Sequence, residues 1–219
     1  MASSVKPLWS KDKAFEWIKL HKMVAIVRTR HAMQARGTVE AILKGGFKLV
    51  EVAMTVLGAT DVLREFSSRP GVLVGAGSVL SEKMAKTALA SGAQFLMTPH
   101  TDPAILKLAQ RAKVLCIVGA LTPTEVVRAW SLGADVVRVF PVRAVGGAEY
   151  VRALKELFTD VPLMPSGGVT LENVRDYFMA GSLAVGAAGA LMNDDAVEAS
   201  RWADITTQAR KFQEMLQRI

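Results

Sequence analysis

The chain has 219 residues, of which 51% are hydrophobic and 21% charged, and no Pro- or Ser-rich stretch divides it, so residues 1–9 read as an N-terminal segment and 10–219 as a single domain. The formal charge of +7 comes with no basic run carrying interleaved aromatics, which points away from nucleic acid and to either a solvated surface or a preference for anionic substrates. No apolar run approaches the roughly 20 residues that cross a bilayer, and the first twenty residues lack the apolar centre of a secretory signal, so no membrane role is expected.

The lone Cys116 lies in the apolar stretch Val114 to Val118 and reads as a core thiol in a reducing compartment. A cytoplasmic protein is expected. The opening Met1-Ala2-Ser3-Ser4 resembles that of a plastid transit peptide, which leaves a mature or truncated stromal form as the alternative.

In chain order, Ser10 to His21 reads as a short helix with Ser10 as its N-cap and Phe15, Ile18 and Leu20 among its apolar positions. A continuous apolar run follows at Met23 to Val27. Similar runs recur at Leu49 to Met54, Val72 to Gly75, Phe95 to Thr98, Val114 to Val118, Val136 to Phe140, Leu163 to Ser166 and Leu183 to Ala187. Between them lie helical periodicities with start signals at Asp102-Pro103 and at Thr122-Pro123-Thr124-Glu125, an N-cap, Pro at N1 and a capping-box Glu. Gly46, Gly92, Gly133 and Gly181 each stand where a left-handed cap closes a helix before a strand.

Eight strand-helix units with strands apolar on both faces imply a parallel sheet closed into a (β/α)8 TIM barrel, preceded by the short helix. An open doubly wound sheet is the alternative. Its dinucleotide loop is missing, because Gly75-Ala76-Gly77-Ser78-Val79-Leu80 lacks the third glycine.

In such a barrel the functional groups sit at the carboxyl ends of the strands. Arg138, at the centre of Val136-Val137-Arg138-Val139-Phe140, cannot face the covering helices without a large desolvation cost, so it should point into a shared polar site. Glu51 alternates with Leu49 and Ala53 on what we take as the lumen face. It is either the ion-pair partner of Arg28 or Arg138, or a general acid/base of tuned pKa. Pro165-Ser166-Gly167-Gly168-Val169, followed by Thr170 opening a helix, forms a short loop whose N–H groups could hold a phosphate or carboxylate, with Gly189 after the eighth run close by. Thr55, Ser78, Pro99 and Thr122 complete the expected binding set. His100 has no second histidine at metal-ligand spacing, and no metal or other cofactor is expected.

Met23-Val24-Ala25-Ile26-Val27-Arg28, Gly45-Gly46 with Leu49-Val50-Glu51-Val52, Val74-Gly75-Ala76-Gly77-Ser78-Val79, Val139-Phe140-Pro141 and Pro165-Ser166-Gly167-Gly168-Val169 together resemble the 2-keto-3-deoxy-6-phosphogluconate (KDPG) and 4-hydroxy-2-oxoglutarate aldolases. Met97 to Asp102, Gly119 to Glu125 and Phe140 to Gly147 resemble the plant and cyanobacterial branch. The resemblance runs from about Phe15 to about Met192. It implies a homotrimeric class I lyase that releases pyruvate from a keto-deoxy sugar acid. It also implies that Glu51 moves protons, that Arg28 helps hold the pyruvyl carboxylate, and that the Gly167-Gly168 loop and the end of the eighth strand hold phosphate.

The family's Schiff-base lysine falls on position 138, where this chain has arginine. A guanidinium, whose pKa lies above about 12, neither loses its proton nor forms an imine, so Schiff-base chemistry there is excluded. No other lysine takes its place: Lys22, Lys48 and Lys113 precede strands, and the rest lie in the N-terminal segment or in helices. Ala188-Gly189 replaces the family's common Gly-Ser, removing a hydroxyl from the phosphate site, and Ser166 and Ala53 are further departures. Three readings follow. One is a lyase acting on a small 2-oxo acid, by aldol cleavage or decarboxylation, without a Schiff base. Another is an inactive aldolase-fold subunit for binding or assembly, in which Arg138 pairs with Glu51. The third is an aldolase whose lysine was deliberately changed.

Overall fold

A computed structural model describes residues 9–219. The opening Met1-Ala2-Ser3-Ser4 and most of the expected N-terminal segment lie outside them. Eight strands, β1 (Met23–Val27), β2 (Leu49–Ala53), β3 (Leu73–Gly77), β4 (Phe95–Met97), β5 (Leu115–Ala120), β6 (Val136–Val139), β7 (Leu163–Pro165) and β8 (Val185–Ala187), pair in parallel, each with its sequence neighbour. β1 also pairs with β8. The Leu183 N–H donates to the Leu163 carbonyl at 2.9 Å, and Ser166 bridges Gly186, which joins β7 to β8 and closes a (β/α)8 TIM barrel.

The helices are α1 (Lys11–His21), α2 (Ala32–Lys44), α3 (Ala59–Ser67), α4 (Glu82–Ala90), α5 (Pro103–Ala112), α6 (Pro123–Ser131), α7 (Ala148–Leu157), α8 (Val174–Met179), α9 (Asp194–Glu198) and α10 (Trp202–Leu216). Their ends follow the local chemistry. Ser10 caps α1 by accepting from the Lys13 N–H, Asp102 caps α5 ahead of Pro103, and Thr122 and Glu125 form a complete capping box on α6. Gly46, Gly92, Gly133 and Gly181 all have φ between +86° and +101°, closing the preceding helices.

Two apolar layers result, one outside the strands and one within. The outer layer packs Val27, Val50, Val52, Val74, Val118 and Val137 against helix residues such as Ile42, Leu63, Phe66 and Phe212. The inner layer packs Val24, Ile26, Leu49, Leu73, Phe95, Leu115, Val136 and Met164, and Ala14 and Ile18 of α1 join it together with Trp9. Because α1 precedes the first strand and is tied by the 2.6 Å Lys11–Asp135 ion pair to the chain entering β6, it closes the amino-terminal end. The other end stays open to function.

The structure shifts several expected boundaries. β3 runs on to Gly77 rather than stopping at Gly75, and β5 on to Ala120, because the glycines that look like turn residues are places where a neighbour needs the space of a side chain. Ala53, expected to share the lumen face with Leu49, packs with the outer layer at the end of β2. Thr170 opens no long helix: its N–H bonds the Asn173 side chain in a turn, and α8 begins only at Val174. Leu20, one of the apolar positions of α1, is 65% exposed.

Candidate active site

Arg138 lies in the β6 register beside Gly119 of β5 and Met164 of β7. A Cβ on Gly119 would sit 2.1 Å from the Pro99 carbonyl carbon, so this glycine lets the segment after β4 cross the end of β5. The Arg138 side chain is 2% exposed. Its Nε donates to Ser166 Oγ at 2.5 Å, and its Cζ lies 4.4 Å from the centre of the Phe140 ring. Burial pulls its pKa down, opposed by the charge of Glu51. Two contacts therefore fix the orientation of this cation.

Glu51 faces the lumen from β2 and is 1% exposed. Abreast of it are Ile26 on β1 and Gly75 on β3. A Cβ on Gly77 would overlap Glu51 Oε1, and one on Gly75 would overlap the Phe95 ring, so the two glycines open the space that carboxylate and ring occupy. Neither carboxylate oxygen has a hydrogen-bond partner, and Glu51 enters none of the ion pairs among the described residues. The ion-pair alternative for Glu51, with Arg28 or Arg138, is thus not a contact. Burial raises the Glu51 pKa to about 7, while the more distant charges of Arg138 and Arg28 hold it from rising further. A carboxyl poised there can both give and accept a proton near neutrality.

At this end of the lumen opens a cleft of about 600 Å³, lined by Ile26, Arg28, Arg138, Phe140, Arg143, Gly167, Gly168, Gly189, Asp194 and residues between them; Glu51 is not on its walls, but Ile26, its register neighbour on β1, is. Of the expected site residues, Arg28, Arg138, Gly167, Gly168 and Gly189 meet on its walls. Ser166 reaches it through Arg138, and Ser78 accepts from Arg28 Nη2 at 3.4 Å. Ser78 itself holds φ +52°, an unusual conformation for a residue with a side chain, at the turn that follows β3. Gly167 and Gly168, with φ +84° and +103°, shape the loop that turns its backbone towards the cleft.

Thr55, Pro99 and Thr122 lie apart from the cleft walls. Thr55 is exposed in the turn after β2, Pro99 packs its backbone over Gly119, and the Thr122 hydroxyl caps α6. Two charged wall residues, Arg143 and Asp194, are absent from the expected set. Arg143 stands in a 3-10 turn (Val142–Val145) directly after β6, where the rule that loops after strands carry function reaches it. Asp194 starts α9, a helix of 5 residues too short to announce itself by periodicity.

No lysine lines the cleft. Among the described residues no three His, Cys, Asp or Glu side chains come together as a metal-binding group, and no helix is long and apolar enough to cross a membrane. Cys116 is buried with its pKa raised to about 12, chiefly by desolvation, so it is not a nucleophile.

A family model described as KDPG and KHG aldolase matches residues 15–208. The 2-dehydro-3-deoxy-phosphogluconate aldolase of Treponema pallidum is 31% identical over 164 residues, covering 74% of this chain and 78% of its own. That of Haemophilus influenzae is 26% identical over 204 residues, covering 93% and 96%. Among solved structures, the 2-keto-3-deoxy-6-phosphogluconate aldolase of Zymomonas mobilis ZM4 with 3-phosphoglycerate superposes with a TM-score of 0.79 at 26% identity, over 90% of this chain and 92% of the other.

Proposed function

Starting from the fact that the chain belongs to the KDPG and KHG aldolase family, a family of lyases, we propose that it cleaves a small 2-oxo acid to release pyruvate without forming a Schiff base. The observation that carries this reading is Glu51: a buried, unpaired carboxyl with a pKa of about 7, its register neighbour Ile26 and the two arginines that act on its charge all lining a cleft that has no lysine. An assembly subunit that had replaced its nucleophile with a filler would be expected to pair that carboxylate with Arg138. The absence of such a contact favours chemistry over filling.

In this mechanism Arg28 holds the substrate carboxylate and Arg138 the 2-oxo oxygen. For aldol cleavage, Glu51 as carboxylate takes the proton of the 4-hydroxyl, the C3–C4 bond breaks and an aldehyde leaves. The electron pair of that bond moves to the C2 oxygen as an enolate facing the Arg138 guanidinium, which is already oriented by Ser166 and Phe140. Glu51 then returns its proton to C3, and pyruvate is formed. With a carboxylate on C3, the same enolate arises as the bond to that carboxylate breaks and CO2 departs, and the proton for C3 comes from Glu51 in its acid form. Both routes balance without an imine.

The working assembly is a homotrimer in this reading. Supporting it, Met33 and Leu57, 72% and 77% exposed, lie on adjoining segments joined by the Ala32 N–H to Leu57 carbonyl bond, an apolar surface beside the cleft end of the barrel.

The test is pyruvate release from KDPG and from oxaloacetate by the parent, Glu51→Gln and Arg138→Lys. The reading expects release by the parent that borohydride does not block, and a loss of about 100-fold or more in Glu51→Gln. A silent parent whose Arg138→Lys variant alone releases pyruvate would overturn it and leave an aldolase scaffold deprived of its nucleophile.

A further inference from the structure

Arg143 lies on the wall of the cleft and takes no part in the cleavage chemistry assigned to Arg28, Arg138 and Glu51. Its stem crosses Gly168 so closely that a Cβ there would sit 2.5 Å from Arg143 Cβ and 2.8 Å from Cδ. Its backbone is fastened to the same loop: the Val142 N–H donates to the Ser166 carbonyl at 3.0 Å, and the Arg143 N–H to the Gly167 carbonyl at 3.1 Å. Ser166 in turn holds Arg138. The two cations are thereby mounted on one short piece of backbone, Arg138 buried at the centre and Arg143 exposed at the rim.

The Arg143 guanidinium enters none of the ion pairs among the described residues, so no protein carboxylate neutralises it. Asp194, the one carboxylate on the cleft wall, likewise enters none. On the cleft wall the Gly167-Gly168 loop stands with a guanidinium free of protein carboxylates, while Ala188 and Gly189, on the same wall, offer no side-chain hydroxyl.

We propose that Arg143 is the specificity-determining residue for the end of the substrate remote from the 2-oxo acid, selecting ligands that carry an oxyanion there. This rests on the lyase reading for what occupies the inner end, where Arg28 and Arg138 take the 2-oxo acid. The distal group is a carboxylate or a phosphate monoester. A guanidinium fork binds either through paired N–H donors, and a compact monoanion held by Arg28 and Arg138 has no second anionic group to offer it.

The experiment is a ligand-observed NMR titration of the full chain with three probes: pyruvate, which has no distal anion, 2-oxoglutarate, with a distal carboxylate, and 3-phosphoglycerate, with a distal phosphate. Parent, Arg143→Gln and Arg143→Lys are compared. The proposal expects Arg143→Gln to weaken 2-oxoglutarate, 3-phosphoglycerate or both by about tenfold or more, with Arg143→Lys recovering part of the loss and pyruvate changing less than twofold. Which of the two anionic probes responds identifies the distal group. Unchanged affinity for both anionic probes, or an equal loss for all three, overturns it. Binding is read without turnover, so a chain that releases no pyruvate but shows this pattern contradicts the lyase reading and leaves the Arg143 assignment standing.

Discussion

The two ends of the barrel lumen are built from the same alternation of residues and do opposite things. Towards the amino-terminal end, Leu49, Leu73, Leu115 and Val136 pack in one apolar cluster, which Ile18 of α1 joins. Towards the carboxyl end, the inward positions come to include Glu51, Gly75, Gly77, Gly119, Arg138 and Ser166, with Ile26 and Ile117 still apolar among them. Where the lower layers fill space, the upper one clears it and places two opposite charges there without letting them touch. Burial of apolar side chains stabilises the lower half, whereas burial of a carboxyl and a guanidinium costs free energy in the upper half. The molecule holds its site at the expense of its own stability.

That contrast can be broken from either side. Leu73→Ala, in the lower layer, should destabilise the fold by about 2–5 kcal/mol in denaturant unfolding at any pH, since it removes buried methyl groups and leaves a cavity. An effect confined to one pH range would show that the lower layer is not the inert half. In the upper layer the sign depends on pH. Glu51 has its pKa raised from 4.5 to about 7 in the folded chain, so the folded state binds this proton more tightly than the unfolded one. Stability is then complete below about 4.5 and falls as pH rises to about 7, by up to about 3 kcal/mol for a shift of this size. Glu51→Gln, which cannot ionise, should therefore be more stable than the parent at pH 8 and gain little at pH 4. Equal stability of the two chains at pH 8 would mean that the carboxyl is solvated or paired in solution.

The apolar layers were open to reading because their periodicity and punctuation are local. Asp102-Pro103, the Thr122 and Glu125 box and four helix-closing glycines act within a few residues of themselves, and the structure uses each as its type requires. Gly75 and Gly77 were harder, since as isolated residues they look like the end of a strand. Only the Phe95 ring and the Glu51 carboxylate, brought in from neighbouring strands, explain why the strand continues through them. The same limit applies to the site. Arg138 announced itself as a charge inside an apolar strand, whereas Arg143 and Asp194 are ordinary charged residues until β6, the Gly167-Gly168 loop and α9 converge on one cleft. Thr122 shows the reverse case, a residue after a strand whose hydroxyl is spent on capping its own helix.

The central claim is that Glu51 exchanges protons with the C3 carbon of an enolate held by Arg138, and it is tested most directly by following the methyl signal of pyruvate in D2O. The parent should replace the methyl protons with deuterium, the rate rising with pH through about 7 as Glu51 becomes a carboxylate, and Glu51→Gln should lose nearly all of that exchange. Exchange at the same rate in both chains, or none in either, would contradict the account.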